Sequence, residues 1–530
     1  MIQTEIRVAL SYTNDDIAEA IAASFPIAKE EIKELRIQKK ALRLDGAFGE
    51  YALTVAISLD PEREAGLLKM KKKFKECPDY TFSVPTARTE APPVVVGAGP
   101  AGLFAALALA EAGLSPIVIE RGEDVISRTA RVNKFFTSHI LDTESNVQFG
   151  EGGAGAFSDG KLKVGGMDKY KHKVLSEFVS AGAPEDIMYT VGAHLGTDKL
   201  PSLVAAIREK IKVLGGSFIY RARLSELIIK ENKISGIMYE KDGKSCRLDT
   251  DILVLATGHS AKDTFELMLH HGVKMQQKGF GIGVRIEHPR EYINRLVYKD
   301  ERLADTVGTA SYHLVTHLPS GRSVYSFCMC PGGTVVAAAS GKGGVVTNGM
   351  SEYMRDGENS NAAHLVSLTP ADFGSESPLA GIELQRAIEA AAFLAGGENY
   401  CAPVTTVRDL LAGTAPTALG SVSPSYPIGT RLAATDKYLP AFVTDSLREG
   451  LADFDKWMSG FAYGDAVITG AETRSTSPVK ILRDENYTSV SVKGLYPIGE
   501  GAGYSGGIVS SATDGLRAAE SIVLHMFENN

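Results

Sequence analysis

Val94-Val95-Val96-Gly97-Ala98-Gly99-Pro100-Ala101-Gly102 decides the fold. Three valines in a row suit a short strand buried on both faces, as in a parallel sheet. The next six residues spell G-x-G-x-x-G, and Ala101 to Ala112 then reads as a helix. Gly97 permits the tight turn, Gly99 lets backbone approach a pyrophosphate, and Gly102 lets helix and strand pack closely. The helix start offers unpaired N–H groups and positive dipole to the phosphates. Gly97, Gly99, Pro100, Ala101 and Gly102 are therefore candidate dinucleotide contacts. Ser115 to Glu120 is the next strand, and its terminal acid, Glu120, stands about twenty residues on, where it can hold a ribose hydroxyl pair.

Outside that unit the composition is ordinary. The chain has 530 residues, 44% hydrophobic and 23% charged, which excludes extensive disorder and a collagen-like repeat. Its 54 glycines exceed the usual share of about 7%. A net charge of −8 weighs against general nucleic-acid binding. Cys77, Cys246, Cys328, Cys330 and Cys401 form an odd, sparse set that suits a reducing compartment, and the N-terminus lacks a secretory pattern, so a cytoplasmic location is expected. Ala91 to Ala110 is charge-free over a bilayer-spanning length, but prolines and the glycine motif break it. A buried strand, turn and helix are expected there, with no membrane partner.

Later segments complete the pattern. Asp251 to Ala256 is another buried strand, closed by Ala256-Thr257-Gly258. GLYPIGEGAGYSGGIVSS (494–511) is a short strand, a glycine loop and the start of a helix. This arrangement resembles the flavoproteins whose FAD domain is of the glutathione-reductase or p-hydroxybenzoate-hydroxylase type. The resemblance implies FAD as cofactor. It implies that Glu500, after Gly499, bonds the ribityl chain, although that family usually has Asp there. It also implies that Gly507 and Ile508 place N–H groups at the flavin, that Leu224 presents its backbone to adenine, and that Thr257 and Gly258 belong to the same site.

A narrower resemblance covers residues 90–530. FGEGGAGAFSDGKL (149–162), GHSAKDTFE (258–266), GVRIEHP (283–289), FCMCPGG (327–333), TNGMS (347–351) and ETRSTSPVKI (472–481) are similar to the bacterial FAD-dependent dehydrogenase family, which is poorly characterised. In that family the first of these segments lies along the FAD, which makes Gly153, Ala154, Gly155, Ser158 and Gly160 cofactor candidates. Arg121 and Arg128 follow the ribose-binding strand and are candidates for adenine or phosphate; a surface ion pair is the alternative for Arg128. No second nicotinamide-binding unit and no C-x-x-C motif is present, so any NAD(P)H would visit transiently.

The expected fold is α/β: a doubly wound, Rossmann-like FAD domain with an inserted α+β substrate domain and a small N-terminal α+β domain. The division is residues 1–88 for the N-terminal domain, 89–280 for the first part of the FAD domain, 281–464 for the insert and 465–530 for the C-terminal part. The expected activity is that of an FAD-dependent oxidoreductase exchanging hydride with a small organic substrate. Two alternatives stay open: an RNA-modifying flavoprotein using the Lys71–Lys73 run, and a non-catalytic FAD-fold binding protein. Candidate catalytic residues are Arg285, as a bidentate carboxylate ligand, His288, as a general base, and Glu472 and Arg474 (with Ser477 beside them), as substrate-pocket groups. A structural Arg–Glu pair is the alternative for Arg285. Cys328 and Cys330 alternate onto one face of a strand-like run and are read as buried thiols, with a strained redox pair as the alternative. No metal site is expected, since His313 and His317 lie in a strand-rich stretch where their spacing separates them. The oligomeric state is left open.

Overall fold

The computed structural model describes residues 1–530 except 46–47, 71, 163–164, 301 and 529–530. Lys71 of the lysine run lies outside the described residues. The core of the fold is a parallel sheet of five strands in the order Leu495–Pro497, Leu253–Leu255, Val94–Val96, Ile117–Glu120 and Ser217–Tyr220. Val94, Val95 and Val96 are all buried, as expected of a strand covered on both faces. Leu253–Leu255 separates the C-terminal strand from the first, yet the glycine loop that follows reaches the first helix: a Cβ on Gly499 would lie 2.8 Å from Ala101 Cβ.

The helix Pro100–Glu111 is buried at every position from Ala101 to Ala110. That accounts for the charge-free stretch around it; among the described residues no helix is long and apolar enough to cross a membrane. The helix Ile508–Glu528 packs against it at backbone contact: a Cβ on Gly515 would lie 2.1 Å from the Ala101 carbonyl oxygen. Three antiparallel strands, Arg223–Lys230, Lys233–Lys241 and Lys244–Leu248, form a separate small sheet.

A second large sheet has seven strands in the order Val315–His317, Ser323–Cys330, Asn359–Leu368, Phe280–Pro289, Val467–Glu472, Ala402–Thr406 and Thr430–Leu432. The helices Ala380–Ala395 and Ala441–Trp457 lie against it. The strand Val467–Glu472, which a division at 464/465 would give to the dinucleotide-binding part, pairs inside this sheet with Phe280–Pro289. The run GFGIGV (279–284), which no turn or phosphate site explained, is the start of a central strand. Gly283 sits there because a Cβ would lie 2.1 Å from the His364 carbonyl oxygen of the neighbouring strand.

The N-terminal sheet runs Glu34–Asp45, Phe48–Ser58, Ile2–Ala9, Lys75–Glu76, and the helices Asn14–Ser24 and Pro61–Leu68 accompany it. Ile2, Ile6, Ile17, Ile21, Leu53, Val55 and Phe74 make a core of their own. Glu34–Asp45 has only a mixture of charged and apolar residues in sequence. It forms the edge of its sheet, where a mixed pattern is tolerated because one side faces water.

Candidate active site

The parallel sheet ends in an elongated cavity at the carboxyl ends of its strands, the usual ligand crevice of open α/β sheets. Its empty space, mouth included, is about 1800 Å³. Val96, Gly97, Gly99, Pro100 and Ala101 line it from the first strand and helix. Gly102 does not; it is a packing glycine, whose Cβ would lie 1.9 Å from the Gly97 carbonyl oxygen.

Gly99 has no such internal reason. Its φ is −76°, a value open to any residue, and its Cβ would meet nothing closer than Gly153 Cα at 3.7 Å. The protein alone does not require glycine at 99, whereas a pyrophosphate passing over the helix start does. On that observation the cavity fits a dinucleotide.

At one end, Glu120 is almost fully buried yet lines the cavity. Its Oε2 accepts from the Ala98 N–H at 2.8 Å, and its Oε1 accepts from Gly122 at 2.9 Å and Gly150 at 3.0 Å. The carboxylate therefore ties three loops together and keeps one lone-pair position on Oε2 for a ligand hydroxyl. Arg121 and Leu224 also line this end. Arg121 gives Nε and Nη2 to Glu144 and Nη1 to Asp263, and lies over the Phe149 ring at 4.1 Å. Its flat guanidinium is held in place with its charge already matched.

Gly153, Ala154, Gly155, Ser158 and Gly160 also line the cavity, as do Thr257 and Gly258. Ser158 shapes this loop by donating to the Gly155 carbonyl at 2.7 Å and accepting from the Gly160 N–H at 3.1 Å. Gly499, Glu500, Gly507 and Ile508 complete the lining, Gly499 against Ala101 and Ile508 against Gly155. Gly507 and Ile508 open the final helix, whose first N–H groups have no partner within the helix. The Gly499 N–H donates to Asp514 of that helix at 2.7 Å, so loop and helix move as a unit. Burial pushes the Glu500 carboxyl up to about 7, against the pull of Lys278.

Of the candidate catalytic residues, Glu472 and Arg474 line the cavity. Glu472 accepts two hydrogen bonds from Arg285, at 3.0 and 2.8 Å. Arg474 gives Nε and Nη2 to Glu389, both at 2.9 Å, and Nη1 to Ser260 and Ser340. Lys262 also pairs with Glu389 at 3.0 Å. Burial alone would raise the Glu389 carboxyl, but Arg474 and then Lys262 hold it down to about 2. One carboxylate thus faces two cations, and the surplus positive charge lies beside the cavity wall.

Four expectations need correction. Arg128 is neither at the cofactor cavity nor on the surface. It is wholly buried, and its guanidinium donates to the carbonyls of Asn146, Val147, Gly150 and Glu151. It braces the loop behind the cavity wall. Arg285 is buried behind Glu472 and spends its bidentate face on that residue, with Nη1 on the Cys328 carbonyl and Asn361. No face remains for a substrate carboxylate, and its acidic partner is Glu472 rather than the neighbouring Glu287. His288 lies away from the cavity, fully buried; its Nε2 donates to the Phe461 carbonyl at 2.8 Å, and burial holds its imidazole down to about 4. A ring stacked on Tyr292 and enclosed in the core has no access to a substrate proton. Ser477 is likewise internal, donating to the carbonyls of Val479 and Gly501.

The cavity also takes residues that sequence reasoning passed over, Gln148, Lys161, His259, Ser260 and Asn348, and one it read as buried, Cys328. Gln148, His259, Ser260 and Asn348 stand within or beside the glycine segments already quoted. Cys328 was hidden by the assumption of regular alternation. The pairing of Ser323–Cys330 with its neighbour shifts register between Phe327 and Cys330, and Cys328 has φ +43°. This bulge turns Cys328 to the cavity while Cys330 stays buried.

Residues 92–286 match the family model described as pyridine nucleotide-disulphide oxidoreductase, and residues 279–475 match that of the FAD-dependent protein, C-terminal domain-like. An uncharacterized protein of Clostridium beijerinckii is 43% identical over 524 residues, covering 98% of this chain and 97% of that one. The chain belongs to the FAD-dependent protein family. It is an FAD-dependent oxidoreductase of α/β, Rossmann-like fold. Among solved structures, the flavin-dependent brominase Bmp2 is 13% identical with a TM-score of 0.37, covering 83% of this chain and 80% of that one. The 3-ketosteroid-delta4-(5alpha)-dehydrogenase of Rhodococcus jostii RHA1 is 14% identical with a TM-score of 0.35, covering 84% and 99%. At such TM-scores neither likeness carries an argument about this member of the family.

Proposed function

We propose that this FAD-dependent protein is a dehydrogenase that exchanges a hydride with a small organic molecule entering beside Glu472, Arg474 and Asn348, with NAD(P)H as a transient visitor. The supporting observation is the free space over Gly99, in a single cavity that Glu120 and the helix start at Gly507 also line. FAD bound along that path supplies the hydride-exchanging ring, so the protein's part is to bind, orient and shield.

In this reading Glu120 takes a ribose hydroxyl with its remaining lone pair, and Gly99, Pro100 and Ala101 pass the pyrophosphate over the helix start. The N–H groups at Gly507 and Ile508 meet negative charge at the far end, where the helix dipole favours it. Glu500, with its carboxyl pushed up to about 7, is partly protonated at neutral pH and donates as well as accepts a hydrogen bond. Arg474 and Lys262, sharing one carboxylate, favour a substrate with an anionic or carbonyl oxygen.

Purified protein should carry the absorbance of a bound flavin, and anaerobic mixing with NADH or NADPH should bleach it. A protein that neither carries nor takes up FAD overturns the reading. Bleaching by a carboxylic or carbonyl-containing reductant alone would remove only the nicotinamide step.

A further inference from the structure

We propose that Cys328 is a nucleophilic thiol site in this cavity, reactive towards hydrogen peroxide and soft carbon electrophiles, and that buried Cys330 is the thiol that resolves its oxidised form. The geometry comes from the bulge. In a regular strand residues two apart are separated by about 6.6 Å, the upper limit for bridging sulfurs. The positive φ at Cys328 and the register shift draw the pair together, so that the Cys330 thiol donates to the Cys328 carbonyl at 3.3 Å. Cys328 lines the cavity; Cys330 is fully buried. An incoming reagent can therefore meet only Cys328, and only Cys330 is placed to follow.

The surroundings favour a thiolate. Arg285, two strands away in the same sheet, lies 3.9 Å from the Cys330 sulfur and donates to the Cys328 carbonyl. Lys161 reaches the Met329 carbonyl from the opposite loop. Glu472 and Glu500 are the opposing negative groups, the first already paired with Arg285. The adjacent Cys330 thiol, then Arg285 and Lys161, outweigh burial and hold the Cys328 thiol below its ordinary value, whereas the neighbouring Cys328 and burial push Cys330 well up. The attacking sulfur is ionised at neutral pH and its partner keeps its proton.

With peroxide, the Cys328 thiolate takes one oxygen, the O–O bond breaks, and the departing hydroxide takes a proton from solvent, leaving a sulfenic acid and water. The Cys330 sulfur then attacks that of Cys328. Its proton leaves with the hydroxyl as a second water, and an S–S bond forms. With iodoacetamide, an S–C bond forms and iodide leaves.

The test uses the flavin-loaded protein and limiting iodoacetamide between about pH 5 and pH 9, with labelling of each cysteine measured by peptide mass spectrometry. Cys328 should label roughly tenfold faster than Cys77, Cys246 or Cys401 at neutral pH, with the rate levelling off above about pH 7. Cys330→Ala should shift that levelling upward, because the polar thiol beside Cys328 is lost. Peroxide should remove two hydrogens from the 328–330 peptide of the natural protein, and Cys330→Ala should instead yield a Cys328 adduct with dimedone. Labelling of Cys328 no faster than that of Cys77 and Cys246, or oxidation without a link to Cys330, overturns the inference. A protein that holds FAD but has an inert Cys328 fails here alone, and a reactive Cys328 without FAD fails the proposed function alone.

Discussion

The parallel-sheet crevice and the seven-stranded sheet both drew attention in sequence, and they use polar residues in opposite ways. In the crevice, candidate groups sit on loops where strands end, and much of the surface is backbone. In the seven-stranded sheet, Arg285, Glu287, His288 and His364 lie mid-strand, fully buried, each bonded to a fixed partner such as Glu472, Ser425, the Phe461 carbonyl or the Leu447 carbonyl. Position along the strand, more than residue type, separates a binding group from a structural one.

Substitutions can break or sharpen that contrast. The largest effect is expected from Arg285→Met, which leaves Glu472 buried without its cation; chemical denaturation should show a loss of about 4 kcal/mol. If stability holds and only turnover falls, Arg285 belongs with the crevice after all. Next comes acid. The unfolded chain protonates His288 near its ordinary 6.5, the folded chain only near 4, so folded stability drops as pH falls through that window, by ~3 kcal/mol for this residue. His288→Phe should flatten that part of the stability–pH curve and leave flavin content unchanged. Gly99→Val should weaken FAD binding by on the order of a hundredfold, ~2.7 kcal/mol, with almost no change in the melting point of the FAD-free protein. A normal FAD content in that variant would sink the placement of the pyrophosphate. The smallest effect is expected from Gly102→Ala, three residues on. It should cost about 2 kcal/mol of stability through overpacking against the Gly97 carbonyl, with FAD loss only secondary to that.

The same contrast explains what the sequence could and could not tell. The crevice was legible because backbone-driven recognition leaves a spaced signature: glycines at 97, 99 and 102, an acid at 120, and a second glycine loop at 499–507. Such spacing needs no knowledge of distant contacts. His288 and Arg285 were misread because burial depends on partners remote in sequence; Glu472 and Phe461 lie far along the chain from them. Arg128 was misread for a related reason, since its carbonyl ligands belong to a loop with no regular pattern. Cys328 was missed because a bulge has no residue signature when the residue with positive φ is not glycine.

Glu120 has one further consequence. Because its carboxylate already gathers the N–H groups of Ala98, Gly122 and Gly150, the wall at that end is assembled before any ligand arrives. Little ordering entropy then remains to be lost on association, and a ligand gains from a rigid receptor. Slow release, rather than fast capture, is the kinetic mark such a preformed wall should leave.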